Sequence, residues 1–152
     1  MLTRKATIED LISLSLLFDS YRVFYKKSSD PEGAKFFLSE RIKNAESVIL
    51  VAENEQQTMV GFVQLYPLFS STRMKRLWLL NDLFVQPEFR GLGAAVILIE
   101  AAKNLCRSTR SCGMILETAK DNTIGNKLYP RTGFALDEDH NYFEWETESE
   151  LL

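Results

Sequence analysis

The stretch Leu79-Leu80-Asn81-Asp82-Leu83-Phe84-Val85-Gln86-Pro87-Glu88-Phe89-Arg90-Gly91-Leu92-Gly93-Ala94-Ala95 constrains this chain more than any other. An apolar strand runs to Val85, a proline turn follows, and an arginine leads two glycines spaced by one residue. A long apolar helix then opens. Strand, glycine turn and helix N-terminus together suit a phosphate. The free N–H groups of the first helical turn point outward, and the helix dipole favours negative charge there. Glycine lets the backbone approach an anion with no Cβ in between, and it accepts positive φ in a turn.

The segments before this stretch read as a sheet built around it. Leu2 to Ala6 suits a short strand, and Thr7 an N-cap with Glu9 and Asp10 in the first turn. Helical spacing of apolar residues runs from Ile8 to Phe24 or Tyr25. Asp30 caps a second helix with Pro31 at its first position. Val48–Ala52 and Met59–Leu65 pattern as an antiparallel hairpin, and Tyr66–Thr72 as a loop. Lys75–Val85 is apolar on both faces, which places it inside a sheet rather than at an edge. Downstream, Leu92–Cys106 is a helix and Met114–Thr118 a buried strand. The βαβ crossover makes those two strands parallel. A short helix near Thr123–Tyr129 and a hairpin-like region through Tyr142–Trp145 complete the order.

The chain of 152 residues suits a single domain, 1–147, with a short acidic tail at 148–152. A formal charge of −3 argues against nucleic acid as a partner, since a basic face would be needed. Cys106 and Cys112 are too few for a disulfide framework and lack the companions of a metal site. No leader-like or membrane-spanning apolar run is present, so the expected location is cytoplasmic, with no membrane partner.

Two functional readings fit the glycine turn. In a dinucleotide fold Gly91 and Gly93 would supply two glycines and Glu117 a ribose contact. Val96, however, stands where a third glycine is needed, and the turn follows antiparallel-looking strands. The second reading fits residue by residue. Arg90-Gly91-Leu92-Gly93-Ala94-Ala95 resembles the pyrophosphate loop of the GNAT acyltransferase superfamily, and Leu83-Phe84-Val85-Gln86-Pro87 resembles its lead-in strand. Asn122-Thr123-Ile124-Gly125-Asn126-Lys127-Leu128-Tyr129 with Gly133-Phe134 resembles its second motif.

The resemblance implies an α/β fold with a mixed, twisted sheet of six to seven strands and about four helices. The sheet would be splayed between its fourth and fifth strands, with an acyl-CoA arm between them. It implies acetyl-CoA as co-substrate and an amine as acceptor, in a homodimer. Backbone groups of Leu83, Phe84 and Val85 would meet the pantetheine amides. Arg90, Gly91, Leu92, Gly93, Ala94, Ala95 and Val96 would hold the pyrophosphate, and Asn122 the cofactor's far arm. Tyr129 would be the general acid toward the departing thiolate. A non-catalytic acyl-CoA-binding module is the alternative from another class.

Leu80-Asn81-Asp82-Leu83-Phe84-Val85 is also similar to the diamine (spermidine/spermine) acetyltransferase branch, which carries glutamate at the position of Asn81. Asparagine cannot act as a base. Strand alternation sets Asp82 opposite to Asn81. Tyr21, Phe24, Tyr25, Tyr66 and Trp78 suit either core or the wall of a pocket for a cationic amine. Pro130 is expected to end or kink its helix at Tyr129.

Overall fold

The computed structural model describes residues 1–148. Of the tail at 148–152, residues 149–152 lie outside that range. Contacts divide the chain into two compact units, Met1–Glu117 and Thr118 onward.

The first unit holds a five-stranded sheet in the order β1 (Leu2–Lys5), β2 (Val48–Glu53), β3 (Met59–Ser70), β4 (Lys75–Val85) and β5 (Met114–Ile115). The first four strands are antiparallel, and β4 and β5 are parallel as the crossover requires. A 3₁₀ turn at Ile8–Asp10 leads into α1 (Leu11–Phe24), and α2 (Pro31–Lys43) follows. The Asp30 carboxylate accepts the Gly33 N–H at 2.9 Å, so the expected cap is present. One face of the sheet packs Ile49, Val51, Phe62 and Phe84 against Leu14, Leu17, Phe18, Ala34 and Leu38 of α1 and α2. The other face is covered by α3 (Ala94–Ser108), which packs on β2, β3 and β4.

Several expectations are corrected. Among the described residues the sheet has five strands, not six to seven, and 134–148 forms no strand. Tyr142, Phe143 and Trp145, expected in a hairpin, are strongly exposed. The buried strand expected at Met114–Thr118 is two residues long, and Ile115 is half-exposed. Tyr66–Ser70, expected as loop, continues β3. Pro67 is tolerated there because Trp78, its partner on β4, sends its own N–H to the Gly113 carbonyl (3.1 Å). That makes Pro67–Trp78 a pair without hydrogen bonds. The proline nitrogen therefore faces the side where β2 has already ended at Val48–Leu65.

The alternation of β4 is broken by one extra residue. Gln64 pairs with Asp82 and Leu65 with Leu80, which leaves Asn81 as a bulge. Beyond the bulge, Asp82 and Phe84 face α1 and α2 together with Gln64 and Phe62. Before it, Leu80 and Trp78 face α3. The Trp78 indole N–H donates to Thr109 Oγ1 at the end of α3 (2.9 Å).

In the second unit, α4 (Thr123–Arg131) carries Pro130 within it and does not end at Tyr129. Pro130 sits one residue from the helix end, so its missing N–H removes a single intrahelical bond. Thr132 N–H to Leu128 O (3.0 Å) still closes the last turn. Gly133, at φ 93°, then reverses the chain.

Candidate active site

The turn after β4 has the geometry an anion needs. Gly91 and Gly93 adopt φ 75° and 86°. A Cβ at either would meet nothing within 4 Å, so the left-handed backbone, not lack of space, calls for glycine. The first intrahelical bond of α3 is Ile97 N–H to Gly93 O (3.1 Å), which leaves the Ala94, Ala95 and Val96 amides as the open first turn. Leu92 is exposed. Arg90 is held from the strand side. Its Nε donates to the Val85 carbonyl at 2.9 Å, and its guanidinium lies 5.1 Å from the Phe24 ring centroid and 5.6 Å from that of Phe84.

The edge of β4 toward β5 opens where the two-pair ladder stops, at Leu79–Ile115. Which backbone groups face that opening follows from the β3 side. Gln86 N–H donates to Val60 O (2.9 Å), so Gly61–Val85 is the pair without hydrogen bonds and Phe62–Phe84 the bonded one. Leu83 and Val85 therefore turn their amides and carbonyls to the open edge. Phe84 turns its own to β3, which corrects the expectation that all three would be available. The Val85 carbonyl already accepts from Arg90.

On the α1–α2 face, the bulge brings Asn81 and Asp82 together, contrary to the expected alternation. Asn81 Nδ2 donates to Asp82 Oδ1 at 3.1 Å, and Gln64 Nε2 donates to Asp82 Oδ2 at 2.8 Å. The Tyr21 hydroxyl is a third donor to the same carboxylate. Behind them, Ser47 Oγ donates to Gln64 Oε1 at 2.8 Å. Asp82 is only 5% exposed, and burial is the main influence on it, pushing its carboxyl up against the pull of its three donors. Tyr25 is raised by burial and then by the Asp82 charge; the same two causes push Tyr66 up to about 12. The Tyr21 and Tyr25 rings meet edge-on at 5.0 Å. Trp78, expected in the same wall, is instead core on the α3 face. Gln64 and Ser47 went unnoticed in the sequence. The only signal was one polar residue inside the apolar run Val60–Leu65.

A separate cleft of about 370 Å³ lies between α1 and the β2–β3 turn. Its one arginine, Arg4, is already paired with both Asp10 (2.7 Å) and Glu53 (2.6 Å), which leaves no unpaired positive charge for an anionic ligand.

In the second unit, Asn122 caps α4. Its Oδ1 accepts the Gly125 N–H at 3.1 Å and its Nδ2 donates to Thr118 Oγ1 at 2.9 Å, so both ends of the amide are used. The Tyr129 ring packs edge-on to Phe134 at 5.8 Å. Among the described residues, no cluster of three or more His, Cys, Asp or Glu could hold a metal, and no helix is long and apolar enough to cross a membrane.

A profile of the acetyltransferase (GNAT) family matches residues 14–134. The chain belongs to the GNAT family of acetyltransferases. A Bacillus subtilis (strain 168) protein described as an uncharacterized N-acetyltransferase, YhfO, is 43% identical over 134 residues, covering 88% of this chain and 89% of that protein. A probable acetyltransferase of Haemophilus influenzae is 31% identical over 128 residues, covering 84% and 86%. The crystal structure of a probable acetyltransferase matches with a TM-score of 0.94 at 38% identity, over 99% of this chain and 100% of that one. Family membership replaces the dinucleotide reading of the glycine turn. GNAT acetyltransferases use acetyl-CoA, and the residues present fit such a molecule. The GNAT domain offers an open strand edge with the amides of Leu83 and Val85 along it. That edge runs directly into a glycine turn and an uncapped helix start.

Proposed function

We propose that this acetyltransferase moves an acetyl group from acetyl-CoA to a primary amine, either a small molecule or a lysine-like side chain, within a ternary complex. The observation that carries the reading is the continuity of the β4 edge with the Gly91–Gly93 turn and the start of α3. Bound there, acetyl-CoA supplies an activated thioester carbonyl. The Leu83 N–H and C=O and the Val85 N–H would bond the pantetheine amides as a neighbouring strand would. The amides of Ala94, Ala95 and Val96, with the charge of Arg90, would hold the pyrophosphate.

Direct attack requires the acceptor to arrive as a neutral amine beside the thioester, and requires a proton for the leaving sulfur. Tyr129 is the proposed donor of that proton. A phenol, with an ordinary pKa of about 10, suits a thiolate when its hydroxyl is held in place. Asn122, being committed as a cap, would serve by setting the start of α4 rather than by a side-chain contact.

The test is transfer from acetyl-CoA to a panel of polyamines, amino acids, aminoglycoside-like amines and a lysine peptide, read as released thiol. Tyr129→Phe is expected to lower kcat about 10²-fold while leaving the acetyl-CoA Kd unchanged. Tight binding of acetyl-CoA with no transfer to any acceptor would instead identify a non-catalytic acyl-CoA-binding module.

A further inference from the structure

Resting on the reading that the chain acetylates amines, we infer that Tyr21 and Asp82 form a two-step proton relay that receives the acceptor as an ammonium ion and delivers it as a free amine. Asn81 cannot accept a proton, and so the acceptor side of the bulge needs another base. Two carboxylates of the first unit, Asp19 and Asp82, are buried. Asp19 is tied into the start of α2, accepting the Ser29 hydroxyl and the Asp30 N–H at 2.7 Å each, with Arg22 at 3.9 Å. Asp82 receives neutral donors alone; among the described residues no ion pair includes it. A buried carboxylate without a cation, walled by phenols, matches what an ammonium ion seeks: an opposite charge and aromatic faces.

Asp82 itself is too enclosed to meet a substrate directly. Of its three donors, Gln64 is fully buried with both amide ends used, and Asn81 has no basic site. Tyr21 is partly exposed, and its hydroxyl can accept one proton while releasing another. The groups facing this point are Tyr21 from α1, Tyr25 at the C-cap of α1, Gln64 and Tyr66 from β3 and Asn81 from β4. Tyr66 also feels the charges of Arg41 and Glu46. Among the described residues the donors to Asp82 are Gln64, Asn81 and Tyr21, so Tyr25 and Tyr66 serve as walls and not as relay members.

One N–H bond of the ammonium breaks as an O–H bond forms on Tyr21. The original Tyr21 O–H proton passes to Asp82, so ammonium and carboxylate become amine and carboxylic acid. The nitrogen lone pair then forms the C–N bond to the thioester carbon. The C–S bond breaks with its electron pair on sulfur, which takes up a proton as nitrogen loses its second. Asp82 returns its proton to water when the amide leaves. Asp82 is thus a positioning residue acting through Tyr21, which touches the acceptor.

The relay is tested with two acceptors of matched shape: a primary alkylamine, charged at neutral pH, and an O-alkylhydroxylamine, uncharged there. Tyr21→Phe and Asp82→Asn are each expected to lower kcat/KM for the alkylamine by about 10²-fold, in the range of a lost general base. Loss on the hydroxylamine should be a small fraction of that, with the acetyl-CoA Kd unchanged. Equal losses on both acceptors would overturn the relay and leave amine acetylation standing. If the wild-type protein binds acetyl-CoA yet acetylates neither, the reading beneath the relay fails and the relay with it. Should Asp82→Asn not fold, Tyr21→Phe, which keeps the ring, decides the comparison alone.

Discussion

Gln64 has no solvent exposure, and its side chain accepts from Ser47 while donating to Asp82. Replacing it with leucine strips Asp82 of a donor and the Ser47 hydroxyl of its acceptor. Gln64→Leu is expected to destabilise the fold by about 1–3 kcal/mol at neutral pH. The effect should depend on pH with a definite sign. Burial holds the folded-state pKa of Asp82 above its unfolded value. The contribution of Asp82 to stability is therefore largest in acid and falls as pH rises toward that elevated folded pKa. The Gln64 donor favours the ionised form, so its loss is felt above this range and fades below it. Urea unfolding of both proteins at about pH 7 and about pH 4 checks this, near neutrality and near the ordinary carboxylate pKa. A gap that is the same at both would count against it. Asp82, Asn81 and Tyr21 could be singled out from the sequence because polar residues interrupt an apolar strand and a tyrosine ends a helix stripe. Gln64 interrupts an apolar strand in the same way, but only the fold reveals that its position is sealed and that its amide reaches Asp82.

At the scale of elements, the Asn81 bulge determines which residues meet. Trp78, Leu80, Asp82 and Phe84 are all buried, so burial along β4 keeps a period of two across the bulge. Helices cover both faces of the sheet, and both halves of the strand therefore look alike in hydropathy. That is why the sequence predicted Asp82 turned away from Asn81, and Trp78 beside the tyrosines. The bounds of β4 and the Asp30 cap of α2 were legible because local chemistry sets them. The extension of β3 through Pro67 was not, because it depends on where the neighbouring β2 stops. Removing Asn81 leaves Leu65–Leu80 and Gln64–Asp82 as consecutive pairs of an unbroken ladder. The deletion variant is therefore expected to fold, with a thermal midpoint close to that of the wild type. It should lose most acetyl transfer, since the strand no longer bends where it parts from β5 and Asp82 loses the Asn81 donor. Circular-dichroism melting alongside the transfer assay separates the two effects. Full unfolding of the variant would contradict the pairing scheme.

Across the whole molecule, the two tryptophans are divided between the two units. Trp78 is 4% exposed beneath α3 with its indole N–H bonded to Thr109, whereas Trp145 is 85% exposed. The chain thus carries two native fluorophores of opposite character. Trp145 should emit at long wavelength and be readily quenched by acrylamide, and Trp78 should emit at short wavelength and resist quenching. Trp145→Phe is expected to leave a single blue-shifted band that changes only when the sheet and α3 come apart. In the unmodified protein, the quenchable part of the emission follows the residues after α4. Each unit can therefore be watched separately, without a label, while acetyl-CoA or an amine is added.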